Sequence, residues 1–321
     1  MQLGNLEIEG KVVVAPMAGV TDWAFRTVCA QQGASVTVTE MVSSRALVYQ
    51  DKKSVALLKR DCCPVMGAQI FGNDPTIMGE AAVLALNHSG ADFIDINMGC
   101  PMPKIANSGD GSGLMRSPDL AYKIVEAVVE AVDVPVTIKT RLGWDKGSIH
   151  VVEFTKAMEQ AGASAIAVHG RTRSMLYSGL ADWDMLAKVK ENLTVPFIAN
   201  GDIFTAEDGV KCMARTGADM VMVGRGAFGN PFLFAQLKAA LAGETVPEVP
   251  CLRDRIDLAV RQIEMASEDK TERVACLEAR KQLNWYLRGV SHGSYYKEKI
   301  AHVSTLEEIY KIAKGIQRDL R

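Results

Sequence analysis

No uninterrupted apolar run in this 321-residue chain approaches the roughly 20 residues a membrane-crossing helix needs, so its 48% hydrophobic content predicts the core of a soluble protein. The opening MQLGNLEIEGK lacks the basic start and apolar stretch of a secretory signal, which predicts that the seven cysteines remain thiols in a reducing cytoplasm. Their odd number argues against a disulfide framework, and Cys62-Cys63 is vicinal rather than C-x-x-C. His169 has no second His or Cys at ligand spacing, so no metal site is expected. Solenoid repeats and low-complexity segments are absent too. Net charge is small, at −2, and only the tail is basic, with 14 Lys and Arg against 11 Asp and Glu from Cys251 onward and 22 against 27 before it. A solvated helical surface would account for that asymmetry by itself.

What the chain does have is a series of short β-rich runs separated by helical patterns. They are KVVVAPM from Lys11, SVTVTEM from Ser35, PVMGAQIF from Pro64, FIDINMG from Phe93, VPVTIKTR from Val134, AIAVHGR from Ala165, VPFIANG from Val195 and MVMVGRG from Met220. Strands apolar on both faces and alternating with helices imply a parallel sheet buried on both sides. Eight units fit a (β/α)8 TIM barrel. A doubly wound sheet is the alternative, but no G-x-G-x-x-G follows the first run, and the unusual residues gather at the C-terminal ends of nearly all eight. After Phe232 the pattern changes: AGETVPEVPC leads into helices over RDRIDLAVRQIEMASED, TERVACLEARKQLNWYLRGV and TLEEIYKIAKGIQRDLR, which reads as a small all-helical C-terminal domain.

In a barrel the residues just past each strand share one mouth. Pro16, Met17 and Ala18 let backbone run close to a flat ligand, or simply make a tight turn. Gln69 offers a donor and an acceptor that suit the edge of a flavin or pyrimidine ring, or a loop cap. Lys139 and Arg141 share a face because strand side chains repeat every second residue, and two cations there call for an anion unless they form a surface ion pair. The glycine-bearing turns around Asn200, Gly201, Asp202, Gly224 and Arg225 free N–H groups for a phosphate. A lone His169 is as well explained by a core hydrogen bond. The sharpest segment is DINMGCPMPKIANSGDGSG, from Asp95 to Gly113, where Cys100 is followed by a long glycine-rich loop able to cover a substrate. Cys100 is a structural thiol, a nucleophile or a general acid; with no partner base legible from spacing, proton donation is favoured.

APMAGVTD, QIFG, DINMGCP, KTRLGW, VHGRT, NGDI, GRGAFGNP and the tail's ARKQLNWYLRG together resemble the tRNA-dihydrouridine synthases, the bacterial type B group in particular, over essentially the whole chain. NGDI and GRGA occur in several FMN barrels; NMGCP with NSGDGSG is more specific. The resemblance implies an FMN-binding catalytic barrel over residues 1–245 and a tRNA-binding helical domain over 251–321. NADPH would reduce the flavin, N5 would deliver hydride to uracil C6, and Cys100 would give the proton to C5. By the same matching, Pro16, Met17, Ala18, Gln69, Lys139, His169, Asn200, Gly201, Asp202, Gly224 and Arg225 would hold FMN, while Asn97, Arg141, Arg171 and Tyr177 would face the uridine. Arg273, Arg280, Lys281, Arg288, Lys297 and Lys299 would grip RNA, with Trp285, Tyr286, Tyr295 and Tyr296 serving the helix core or ribose contact. Relatives more often carry basic or small residues at Ser108 and Asp110 and histidine at Gln282, departures expected to bear on RNA binding. The rivals are a small-molecule FMN barrel of the dihydroorotate or dihydropyrimidine dehydrogenase kind, for which a basic helical tail has no use, and a tRNA-binding chaperone without turnover.

Overall fold

The computed structural model describes residues 1–320. Its centre is a closed ring of eight parallel strands: β1 (Val12–Val14), β2 (Val36–Val38), β3 (Val65–Phe71), β4 (Phe93–Met98), β5 (Val136–Arg141), β6 (Ala165–His169), β7 (Phe197–Asn200) and β8 (Met220–Val223). Each of the eight runs read from the sequence contains one of them. Neighbours pair in chain order, and β8 closes on β1 with Val221 opposite Val12 and Val223 opposite Val14. Helices α1 (Trp23–Gln31), α2 (Pro75–Ser89), α3 (Pro118–Ala131), α4 (Val151–Gln160), α5 (Trp183–Glu191), α6 (Ala206–Thr216) and α7 (Leu233–Ala242) surround it. Their limits follow local chemistry. Asp22 and Asp74 accept from backbone N–H groups at the starts of α1 and α2, and α2 stops at Gly90, whose φ of 59° suits glycine.

Strand alternation separates two cores. Val12, Val14, Ile94, Ile96, Ile138, Ile166 and Val168 point outward and pack under the helices. Val13, Val36, Val38, Phe93, Ala165, Ala167, Ile198 and Met220 point inward and fill the lower barrel. A short antiparallel ribbon, Gln2–Leu3 with Leu6–Glu7, caps that end and contributes Leu3 and Ile8 to the inner cluster. Two-residue strands with one turn between them are too short to show periodicity, so the ribbon was not legible in the sequence.

Residues 243–251 carry no regular secondary structure, and the tail beyond them forms α8 (Leu252–Asp269), α9 (Glu272–Tyr286), α10 (Ser294–Ile300) and α11 (Leu306–Asp319) around its own apolar cluster. The seven-residue α10 is a helix the periodicity did not reveal. Trp285, Tyr286 and Tyr296 are core residues, whereas Tyr295 is exposed beneath Lys299. Gln282, expected to bear on RNA binding, is instead buried and accepts from Gln262 at 2.9 Å, so its polarity is absorbed between α8 and α9.

The tail docks on the barrel through α8 against α1. Lys270 joins Asp22 at 2.8 Å, and Phe228, just past β8, stacks on Trp285 with centroids 4.1 Å apart. Beneath that stack lies Gly229, at φ 67°, where a Cβ would collide with the backbone of Trp285 and Tyr286. A backbone clash cannot be relieved by a rotamer change, and the positive φ alone costs a non-glycine residue roughly 1–3 kcal/mol. Gly229→Ala is therefore expected to lower the urea midpoint by more than that equivalent. A drop no larger than that backbone strain would mean that the tail is not seated there.

Candidate active site

The upper barrel is built by the same two-residue period that makes the lower barrel apolar. Continuing the inward-facing positions upward gives Gln69 on β3, Asp95 and Asn97 on β4, Thr137, Lys139 and Arg141 on β5, His169 on β6 and Asn200 on β7. Above these side chains opens a cavity of about 450 Å³, within the range of small-molecule and cofactor sites. Pro16, Met17, Ala18, Asn97, Cys100, Lys139, Arg141, His169, Tyr177, Asn200, Gly201, Asp202, Gly224 and Arg225 all line it.

Gln69 and Arg171 do not line the cavity. Gln69 is fully buried below it, donating to Asp95 at 2.5 Å while its carbonyl accepts from Asn97 at 2.8 Å. Thr137 donates to the other Asp95 oxygen at 2.6 Å, and Asn97 Oδ1 accepts from the Cys100 N–H at 2.9 Å. An unbroken polar chain thus runs from Thr137 through Asp95, Gln69 and Asn97 to the backbone that carries the thiol. Arg171 directs its donors to Ser178 O, Gly179 O and Asp202, the last at 2.7 Å. It lies 3.4 Å from His169 Nε2, so it braces the ligand-facing residues and the 173–180 loop from behind.

Electrostatically the mouth is cation-rich. Burial, then Arg141, pulls Lys139 down to about 8 against the opposing pull of Asp95, and burial lowers Arg141 to about 10. Burial, reinforced by Arg141, Lys139, Arg171 and Arg225, holds His169 well below the ordinary imidazole value, so it is neutral near pH 7. Arg141 spends Nε on Gly99 O and Nη1 on Thr172 O and Leu176 O, while its Nη2 has no partner among the described residues. The N–H groups of Gly201, Asp202 and Gly224 likewise find no acceptor there. Gly201 has φ 126°, and a Cβ on it would sit 2.7 Å from Ala181 Cβ and 3.0 Å from His169 Cδ2. The three free N–H groups, with Arg225 on the same cavity wall, suit an anion of phosphate type.

Cys100 faces this cluster from the turn after β4. Burial pushes its thiol up, only partly offset by the Met102 backbone contact and by Arg141 and Lys139. The following segment is more ordered than its glycines led us to expect. It folds as a short helix, Pro103–Ala106, and a 3-10 turn, Gly111–Arg116, whose Ser112 hydroxyl donates to Cys100 O at 2.8 Å. Gly111 is packed against Cys100 and Ile105, so the glycines serve close approach. Asp110 accepts from the Ser108 hydroxyl at 2.9 Å. Sequence reasoning missed Met41, Phe204 and Phe228 on the cavity wall, and it gave Lys281 to RNA without placing it there. Each missed residue sits beside a recognised motif, which was the available signal.

A protonated thiol predicts slow alkylation. At pH 7.5 iodoacetamide should label Cys100 at least about tenfold more slowly than the exposed Cys251, with the rate climbing above pH 9. Peptide mapping that finds Cys100 labelled first would make it a thiolate nucleophile instead.

A family model described as dihydrouridine synthase matches residues 13–319. A probable tRNA-dihydrouridine synthase of Rhizobium leguminosarum bv. phaseoli is 44% identical over 88% of this chain and 86% of its own length. The tRNA-dihydrouridine synthase B of Pasteurella multocida is 37% identical over 96% and 93%, and that of Proteus vulgaris 41% identical over 90% and 89%. Among solved structures, histamine dehydrogenase from Rhizobium sp. 4-9 superposes with a TM-score of 0.60 at 15% identity, over 83% of this chain and 50% of its own. The chain spans half the length of that protein, and the likeness is one of fold.

Proposed function

We propose that this chain, which belongs to the dihydrouridine synthase family, is an FMN-dependent tRNA-dihydrouridine synthase that reduces a uridine C5–C6 double bond with electrons from NADPH. The observation that carries this reading is the convergence of a protonated thiol and an anion-seeking floor on one cavity. The floor fits FMN: Lys139 would meet the electron-rich N1–C2=O side of the ring, and Arg225 with the free N–H groups of Gly201, Asp202 and Gly224 would hold the phosphate. Bound there, the flavin would accept hydride from NADPH and pass it to uracil C6.

Everything else falls to the chain's own residues. Cys100 holds the proton for C5, and the resulting thiolate, eased by Lys139 and Arg141, is reprotonated from solvent. Asn97 fixes the Cys100 turn, itself oriented by Gln69, and the free Arg141 Nη2 is the donor available for a uracil carbonyl. Tyr177 stands half exposed at the rim beneath Arg141 and Arg225. A uridine stacked inside tRNA cannot reach this depth, so the base must be extruded at a cost of roughly a few kcal/mol. We assign RNA grip to the helical domain over 251–321, where Lys281 reaches the cavity wall. Arg280 is less available than its neighbours, because it donates to Val303 O and His302 O. Such a substrate places the protein in the cytoplasm.

The yellow protein supplied with NADPH should form dihydrouridine in unmodified tRNA. In Cys100→Ala, flavin reduction by NADPH should persist while product formation falls at least about 10²-fold. A wild type that reduces free uracil or orotate and ignores tRNA would contradict the assignment, and a fully active Cys100→Ala would remove the thiol from proton transfer.

A further inference from the structure

Across the mouth from the helical tail lies a second charged feature that the cavity chemistry does not use. The rails that follow β5 and β6 stay zipped beyond the strands: Leu142 N donates to Arg171 O, Arg173 N to Gly143 O at 2.9 Å and Ser174 N to Trp144 O at 2.9 Å. This pairing carries the chain beyond the end of β5 to Trp144, three residues after Arg141. There Arg116 and Arg173 both pack on its ring, their guanidinium carbons 4.8 and 4.4 Å from the centroid. Arg116 arrives from the end of the segment that begins at Cys100, and the contact of His150 Nε2 with Met115 O at 2.7 Å ties that end to the start of α4. The shelf therefore joins the ends of β4, β5 and β6.

The two positive charges lie within about 9 Å of each other, inside the Debye length of ~8–10 Å at moderate salt. Among the described residues neither guanidinium forms an ion pair or a side-chain hydrogen bond, and Arg173 Nε is buried without an acceptor. Arg116 is exposed. Like charges held together and left without counter-charge are relieved by a polyanion, and an arginine-flanked indole is the kind of surface that nucleic acid backbones and splayed bases occupy.

We infer that Arg116, Trp144 and Arg173 form an RNA-contacting shelf on the β4–β6 rim. The shelf grips the tRNA backbone on the side of the extruded uridine opposite the tail. This inference rests on the tRNA reading of the cavity. In the eight-strand ring β5 lies diametrically across from β1, whose flank, with β8, carries the docked helices. Lys281 on α9 and this shelf thus hold the substrate from two sides, so that a base between them is pulled toward the cavity.

The test is tRNA affinity of the flavin-loaded protein by fluorescence anisotropy from 50 to 250 mM salt. Arg116→Ala/Arg173→Ala should raise Kd about tenfold and reduce the slope of log Kd against log salt by about 1.5, as expected for two lost phosphate contacts. Flavin reduction by NADPH should be unchanged. Lys238→Ala removes a charge beside Gly33, at the opposite end of the barrel, and should leave Kd and slope at wild-type values. If the double variant fails to retain flavin, exposed Arg116→Ala alone should still lower the slope by about 0.8. A wild-type Kd and slope in these variants overturns the shelf, whatever the protein's activity. A wild type that binds tRNA with the expected sensitivity but forms no dihydrouridine supports the shelf and overturns the reading of the cavity.

Discussion

Four cationic side chains, Lys139, Arg141, Arg171 and Arg225, converge at the top of a closed sheet, where among the described residues Asp95 and Asp202 are the carboxylates that oppose them. Charges drawn out of water without full compensation are expensive, and the protein tolerates them by dividing the task. Arg171 is paired to Asp202 and to loop carbonyls, so it stiffens the rim. Arg141 is tied down by three carbonyls but keeps one nitrogen free. Lys139 keeps one weak contact, 3.3 Å to Asn200 Oδ1. The consequence for chemistry is a neutral His169, a protonated Cys100 and a floor whose remaining demand is for negative charge.

The burial that keeps the Cys100 thiol protonated also gives it a reason to be where it is. Its backbone is held by Asn97, and Asn97 by Gln69, whose own amide is fixed by Asp95. Burial raises Asp95 to about 6, with Thr137, Gln69 and Lys139 pulling the other way. A carboxylate raised in this way is destabilising once ionised, so its contribution to stability is lost as pH rises from about 4 through 6. The fold accepts this cost to keep a charged acceptor under the lysine and to align an amide chain that ends at the Cys100 backbone.

Much of this was legible from residue order. Each of the eight β-rich runs contains a strand, and the site residues read near their C-terminal ends make up just over half of the cavity wall, because a barrel converts position along a strand into height and parity into direction. Parity also identifies Gln69 as inward-facing, yet only the structure shows its amide consumed by Asp95 and Asn97. Arg171 was expected to face the uridine, and a sequence does not reveal that two loop carbonyls, the Asp202 carboxylate and His169 Nε2 engage its guanidinium from behind the cavity wall. Gln282 was expected to bear on RNA binding, but helical periodicity in the tail could not say which face meets α8, and the side chain is buried there. The glycines of NSGDGSG resembled a free loop, since close packing and flexibility call for the same residue.

The most direct measurement is FMN binding by the flavin-stripped protein as a function of pH. Because the phosphate is fully ionised above pH 7 and Lys139 loses its proton near 8, Kd should be flat from pH 7 to about 8 and then weaken by up to tenfold per unit. Lys139→Met should bind more weakly and lose the inflection. A wild-type Kd that stays constant through pH 9, or a stripped protein that takes up no FMN, would contradict the claim that an uncompensated cationic floor defines this site.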